Sequence, residues 1–240
     1  MAQTEAQGAI RVVPLSPGVG LWVDGVDLHR LTPAIRDMIE DLWQLGGALL
    51  FREQDQPEAA AAALASVLGK VPVSLEGAGE IGVSEEWQML GAGRAWPPQA
   101  LALAADQACA PLTLAGMEAA AEALRLEDPD LFGQLAEETA PHTAEGPQHY
   151  LIHRHPLSAE PCLYPPPGFH KRDWGKRLQL HVTRPRFSYT HEWMPGDVLA
   201  FDPTAVRCRS ELRRKGTFQA VVIPGAGPLV PMRAPVRNPI

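Results

Sequence analysis

Residues 183–202 read TRPRFSYTHEWMPGDVLAFD. Two short strand candidates, Arg186–Trp193 and Asp197–Asp202, flank a Pro-Gly turn. His149–His155 and Thr217–Ile223 are strand candidates of the same kind, again set off by Pro, Gly and charged turns. The later part of the chain therefore reads as β.

Toward the N-terminus the pattern changes. Residues 1–9 read as a loose tail, followed by β-rich Ile10–Ser16 and Leu21–Leu28 around a Pro-Gly-Val-Gly turn. Thr32-Pro33 opens a helix whose apolar stripe is Ile35, Met38, Ile39, Leu42 and Leu45, and Gly46-Gly47 ends it. Ala48–Arg52 reads as a short buried strand and Gln56–Leu68 as an alanine-rich helix closed by Gly69. Gln99–Ala105 is a strand by context, although its alanines also suit a helix. Leu114–Leu126 and Asp130–Glu138 read as helices. Helices early and strands late, with no internal repeat, predict one α+β domain over residues 10–240, with a β-rich core and flanking helices.

Composition narrows the function classes. The 240 residues are 45% hydrophobic and 20% charged, a globular balance, and 24 prolines double average usage. Net charge is −7, which argues against a general nucleic-acid or anionic-membrane binder. Residues 1–169 hold 8 Lys/Arg against 23 Asp/Glu, whereas residues 170–240 hold 13 against 5. That basic end suits either an anion-binding cleft or a solvated face. Cys109, Cys162 and Cys208 form no C-x-x-C pair, so a reducing, cytoplasmic setting is expected. The opening MAQTEAQGAI lacks a secretory leader's pattern, and no apolar run approaches a membrane span. The dinucleotide fingerprint, the P-loop and G-x-S-x-G are all absent.

Three stretches in order carry a family resemblance. PLSPGVGLWVDGVDLHRLTP with a helix and GALLFREQ, then HYLIHRHPLSAEPCLY, then TRPRFSYTHEWMPGDVLAFD, together resemble the taurine dioxygenase/TfdA-like oxygenases, which use iron(II) and 2-oxoglutarate. The resemblance implies a double-stranded β-helix, a jelly-roll or cupin-like core with helices around it. The stretches between Trp87 and His149 and between Tyr164 and Thr183 are short for the family.

The resemblance also locates a site, and there the chain departs from the family. That chemistry needs two imidazoles and one carboxylate, written His-x-Asp/Glu with a later His. None of the eight histidines is followed at the second position by Asp or Glu. The family's W-H-x-D falls on Trp87-Gln88-Met89-Leu90, and the distal histidine falls on Cys208, six residues after Asp202. The arginines that bind the acid cosubstrate fall near Lys215 and Gln219, with Arg214 adjacent. Thr113 lies within one residue of the threonine that helps hold 2-oxoglutarate. Glutamine, leucine and cysteine do not rebuild an iron site, so ordinary catalysis at the standard position is not expected.

What remains is a remnant pocket. Its candidate catalytic residues are Cys208 and Gln88; its candidate substrate-binding residues are Trp87, Leu90, Thr113, Lys215, Gln219 and Arg214. No cofactor is expected. The ligand class is a small, carboxylate-bearing molecule, bound or transformed without metal by a lyase, isomerase or cyclase reaction in biosynthesis. Two alternatives stay open: a non-catalytic partner of an active enzyme or of its own copies, and a displaced metal site at His149, His153 and His155. Neighbouring arginines lowering the Cys208 pKa would favour nucleophilic chemistry; a small apolar filler is the plainer reading of that cysteine.

Overall fold

The computed structural model describes residues 9–69, 78–82, 97–105, 109–141, 147–166, 168–210, 217–225, 227 and 229–232. Strands β1 (Arg11–Ser16) and β2 (Val19–Asp24) form a hairpin. Helix α1 (Pro33–Gly46) starts where the Thr32 hydroxyl accepts from the Ile35 amide, and it stops at Gly47, whose φ of 60° closes the last turn. Next come β3 (Ala48–Phe51), α2 (Pro57–Leu68), β4 (Ala78–Gly82), β5 (Ala100–Ala105) and β6 (Leu112–Gly116). Helices α3 (Met117–Glu127) and α4 (Pro129–Glu137) meet at Asp128, whose carboxylate caps α4 through the Leu131 amide. Short strands β7 (Thr139–Pro141), β8 (Gln148–Tyr150), β9 (Ile152–Arg154) and β10 (Pro161–Leu163) lead to α5 (Gly175–Val182). The chain ends its described course through β11 (Ser188–His191), β12 (Asp197–Phe201), β13 (Val206–Ser210), β14 (Thr217–Ile223) and β15 (Val230–Pro231).

A seven-stranded sheet runs β1-β2-β3-β12-β5-β14-β4, and a three-stranded sheet runs β11-β6-β13. Alternation along β5 sorts the two faces of the large sheet. Ala100, Ala102 and Ala104 join Ala60, Ala61, Leu64 and Ala65 of α2 in one apolar cluster, where small side chains let the helix lie close. Leu101 and Leu103 belong to a second cluster with Leu199, Phe201, Leu112, Leu114 and Cys208, packed between the two sheets. Each buried leucine or phenylalanine there contributes roughly 1.5–3 kcal/mol through its removal from water.

Several local expectations shift. Leu112–Gly116 is a strand, not the start of a helix, because Leu114 pairs with both Tyr189 and Cys208, and sheet pairing on two edges outweighs helix propensity. The helix begins only at Met117, after Gly116, where a Cβ would lie 1.9 Å from the Gly18 carbonyl oxygen. The single strand expected over His149–His155 breaks at Leu151, since β8 pairs with β7 while β9 pairs with β10. The one expected at Arg186 begins at Ser188, after a 3-10 turn over Pro185–Phe187. Helix α5 had no counterpart in the sequence reading. Among the described residues no helix is long and apolar enough to cross a membrane.

Candidate functional site

Register decides which side chains look into the space between the sheets. Across β11, β6 and β13 the rows are Tyr189–Leu114–Cys208 and His191–Leu112–Ser210, alternating with Ser188–Ala115–Arg207 and Thr190–Thr113–Arg209. Thr190 is exposed, whereas His191, Leu112, Leu114 and Cys208 are fully buried. The first two rows therefore face the large sheet and the other two face outward.

Of the described candidates, Cys208 alone looks into that space. Thr113 is turned the other way, its hydroxyl 2.9 Å from that of Thr190. Gln219 pairs with Ala104 and shares its face, the α2 side of the large sheet, while Ala220 points inward. The structure thus separates three residues that the sequence grouped. Trp87, Gln88, Leu90, Arg214 and Lys215 lie outside the described residues.

The chemistry of Cys208 runs opposite to the activated thiol. Burial pushes its pKa up to about 12, and the adjacent Arg207 offsets this only in part. Arg207 sits on the outer face and cannot converge on the sulfur. A neutral thiol among leucines is a weak nucleophile and a weak metal ligand.

Beside it the fold assembles a polar line that the sequence reading did not select. The Tyr189 hydroxyl lies 3.2 Å from His191 Nδ1, and His191 Nε2 lies 3.0 Å from Asp197 Oδ2, off the axis of a straight hydrogen bond. Asp197 starts β12 and also receives the Met194 amide at 2.9 Å, which ties the carboxylate to the Pro-Gly turn. Its second oxygen, Oδ1, has no partner among the described residues. Burial pushes the Tyr189 phenol above its ordinary pKa, while the Arg52 guanidinium pulls it down. The signal lay in THEWMPGD: an inward strand position carrying histidine, three residues before a turn that returns an aspartate to it.

The other histidines serve differently. His155 Nε2 lies 3.0 Å from Asp202 Oδ2, and Nδ1 lies 2.8 Å from Glu118 Oε1 and 3.1 Å from the Ser158 hydroxyl. Burial alone would lower its pKa, but these two carboxylates raise it to about 9, so the ring is cationic at neutral pH. Asp202 Oδ1 also accepts from the Thr204 amide and hydroxyl. His153 is completely buried, its pKa pushed down to about 3, and neither ring nitrogen has a hydrogen-bond partner among the described residues. His149 and His153 each meet the Tyr164 ring edge-on, at 6.0 and 5.6 Å between centroids. Among the described residues no group of three or more His, Cys, Asp or Glu is placed to hold a metal ion.

No family model and no curated protein matches the sequence. Solved structures do match in shape. AAD-2 in complex with Mn(II) and N-oxalylglycine superposes with a TM-score of 0.77 at 20% identity, over 92% of this chain and 100% of that one. A taurine dioxygenase from Burkholderia xenovorans gives 0.74 at 23% identity, over 93% of both chains. A Burkholderia xenovorans protein provisionally assigned as an alpha-ketoglutarate dependent 2,4-D dioxygenase gives 0.66 at 20% identity, over 90% of this chain and 97% of that one. The chain has the fold of the taurine dioxygenase/TfdA-like oxygenases.

Proposed function

We propose that this protein keeps the oxygenase fold without iron(II)/2-oxoglutarate chemistry, and that it binds a small carboxylate-bearing metabolite between its sheets and moves a proton on it without metal. The chain crosses from the large sheet (β5) to the small one (β6 and β11), back to the large (β12), again to the small (β13) and returns to the large (β14), which supports a double-stranded β-helix around that space. Iron is the group this fold implies, and the donor set does not fit it. The sequence holds no His-x-Asp or His-x-Glu, and the position matching the distal ligand is the neutral thiol of Cys208. A displaced site at the three histidines fares no better. His155 is held as a cation between Glu118 and Asp202, so a metal there would have to displace its proton and both ion pairs.

The observation that carries the proposal is the Tyr189–His191–Asp197 line on the inner wall. In the Nε2–H tautomer the phenol donates to Nδ1. As Tyr189 takes a proton from the substrate, its own passes to His191, and the resulting imidazolium is balanced by Asp197. Return of the protons at a second position completes an isomerisation or elimination. Gln88, Trp87, Leu90, Arg214 and Lys215 belong to this reading by resemblance, as the remaining walls and the carboxylate anchor.

Two assays test it. With iron(II), ascorbate and 2-oxoglutarate, the purified chain forms no succinate; succinate formation would overturn the loss of oxygenase chemistry. With EDTA in D₂O, small 2-oxo acids exchange protons next to the carbonyl, and Tyr189→Phe slows the exchange by about 100-fold. Exchange that is absent in the native chain, or unaffected by Tyr189→Phe, refutes the proton-transfer assignment.

A further inference from the structure

Among the described residues no carboxylate balances the charge of Arg207. It is 2% exposed and lies on the outward row of β13, so the solvated face that the basic end of the sequence allowed does not include it. Its Nη1 donates to the Pro165 carbonyl. Neither Nε nor Nη2 has a partner among the described residues. The charged-state partners nearest it are Tyr164 and Cys208, and burial keeps both protonated at neutral pH. The contrast with His155, which is equally buried and held by two carboxylates, is plain.

The two unpartnered nitrogens are also the two that matter geometrically. Nε–H and one Nη2–H run parallel along one edge of the guanidinium plane, the edge that takes both oxygens of a carboxylate or phosphate side by side. Pro165 occupies the other end and fixes the fork. Its neighbour Tyr164 meets His153, a second completely buried side chain whose nitrogens have no hydrogen-bond partner among the described residues. A buried guanidinium of this kind is costly when empty, because each donor left unmade forfeits its full hydration. A bidentate anion removes the larger part of that cost.

We propose that Arg207 anchors a buried site for a small oxyanion, a carboxylate or a phosphate, on the face of β13 turned away from Cys208. The way in is a cleft of about 390 Å³ whose lining includes Pro156, Leu157, Thr204, Leu229 and Val230. Leu229 lines this cleft and packs on Tyr164, the residue next to the Pro165 carbonyl that Arg207 holds. This site is distinct from the space between the sheets.

The test uses the full chain in EDTA, titrated separately with succinate and inorganic phosphate. Binding is followed by calorimetry and by the ¹H–¹⁵N signal of the Arg207 Nε–H, assigned by its loss in Arg207→Lys. One equivalent of anion shifts that signal saturably, and the tighter of the two identifies the source of the oxyanion. Arg207→Lys, which keeps charge but loses the fork, weakens binding by about 10- to 100-fold. Arg207→Met abolishes it and raises the melting temperature of the free chain, since an uncompensated buried charge is gone. An Nε–H signal that neither anion moves overturns the proposal, and that measurement needs only the native protein. Binding that persists in Arg207→Met belongs to the space between the sheets and overturns it equally.

Discussion

Replacing His155 with glutamine should flatten the alkaline limb of the stability curve. The ring is buried between Glu118 and Asp202, and its pKa is raised from 6.5 to about 9. A group raised in the folded state stabilises fully below its unfolded pKa and loses that contribution as pH climbs through the folded one. At about 1.4 kcal/mol per pH unit, the span from 6.5 to about 9 corresponds to about 3 kcal/mol. With a urea slope of ~2–3 kcal/mol per M, the wild-type midpoint falls by about 1–1.5 M between pH 6.5 and 9. The acid limb has the opposite sign and another source. His153 is held neutral by burial, with a pKa lowered to about 3, so its contribution is present above pH 6.5 and lost as pH falls toward 3. Urea unfolding of wild type and His155→Gln at pH 5, 6.5, 8 and 9 separates the two. The variant keeps the acid limb and is flat between pH 6.5 and 8, below the range where the buried thiols Cys162 and Cys208 add an alkaline loss of their own. A variant with the wild-type alkaline slope, or a wild type flat across that window, refutes the ion-pair account.

Two shorter predictions follow from packing and burial. With its pKa near 12, Cys208 is thiolate in about one molecule in 10⁴ at pH 8, so iodoacetamide labels half-buried Cys109 first and leaves Cys208 intact, as read by mass spectrometry. Labelling of Cys208 at a comparable rate would show an accessible, activated thiol. Gly116→Ala places a Cβ 1.9 Å from a backbone oxygen at the junction of β6 and α3 and should cost at least about 2–4 kcal/mol. A thermal midpoint within 2 °C of wild type would show that this close approach of backbones is not real.

Elements with a local cause were legible in the sequence. Thr32-Pro33 and Gly46-Gly47 bracket α1 because a hydroxyl cap and a left-handed stop act within one turn of chain. Thr217–Ile223 matches β14 to the residue. Leu114–Gly116 was misread as helix because its strand character comes from β11 and β13, remote partners such as Tyr189 and Cys208 that no window of sequence displays. The inward direction of Cys208 followed from its family position, but its pKa did not: the neighbouring arginines are adjacent in sequence and on opposite faces in space.

By itself, then, the sequence determined an α+β chain with a β-rich end, a likeness to the taurine dioxygenase/TfdA-like oxygenases, and the absence of the iron-binding pattern, because composition, turns and ligand spacing are written along the chain. Tertiary structure decided what each polar side chain does. A strand reverses direction of side chain at every residue, so register alone sends Cys208 inward and Arg207 outward and sets His191 against Asp197. Burial and its partners then fix the charges, holding His155 cationic and His153 and Cys208 neutral, and leaving Arg207 without a counter-ion among the described residues. The basic end of the chain suited either an anion-binding cleft or a solvated face; the structure places one of its arginines, Arg207, in the interior, with no carboxylate partner among the described residues.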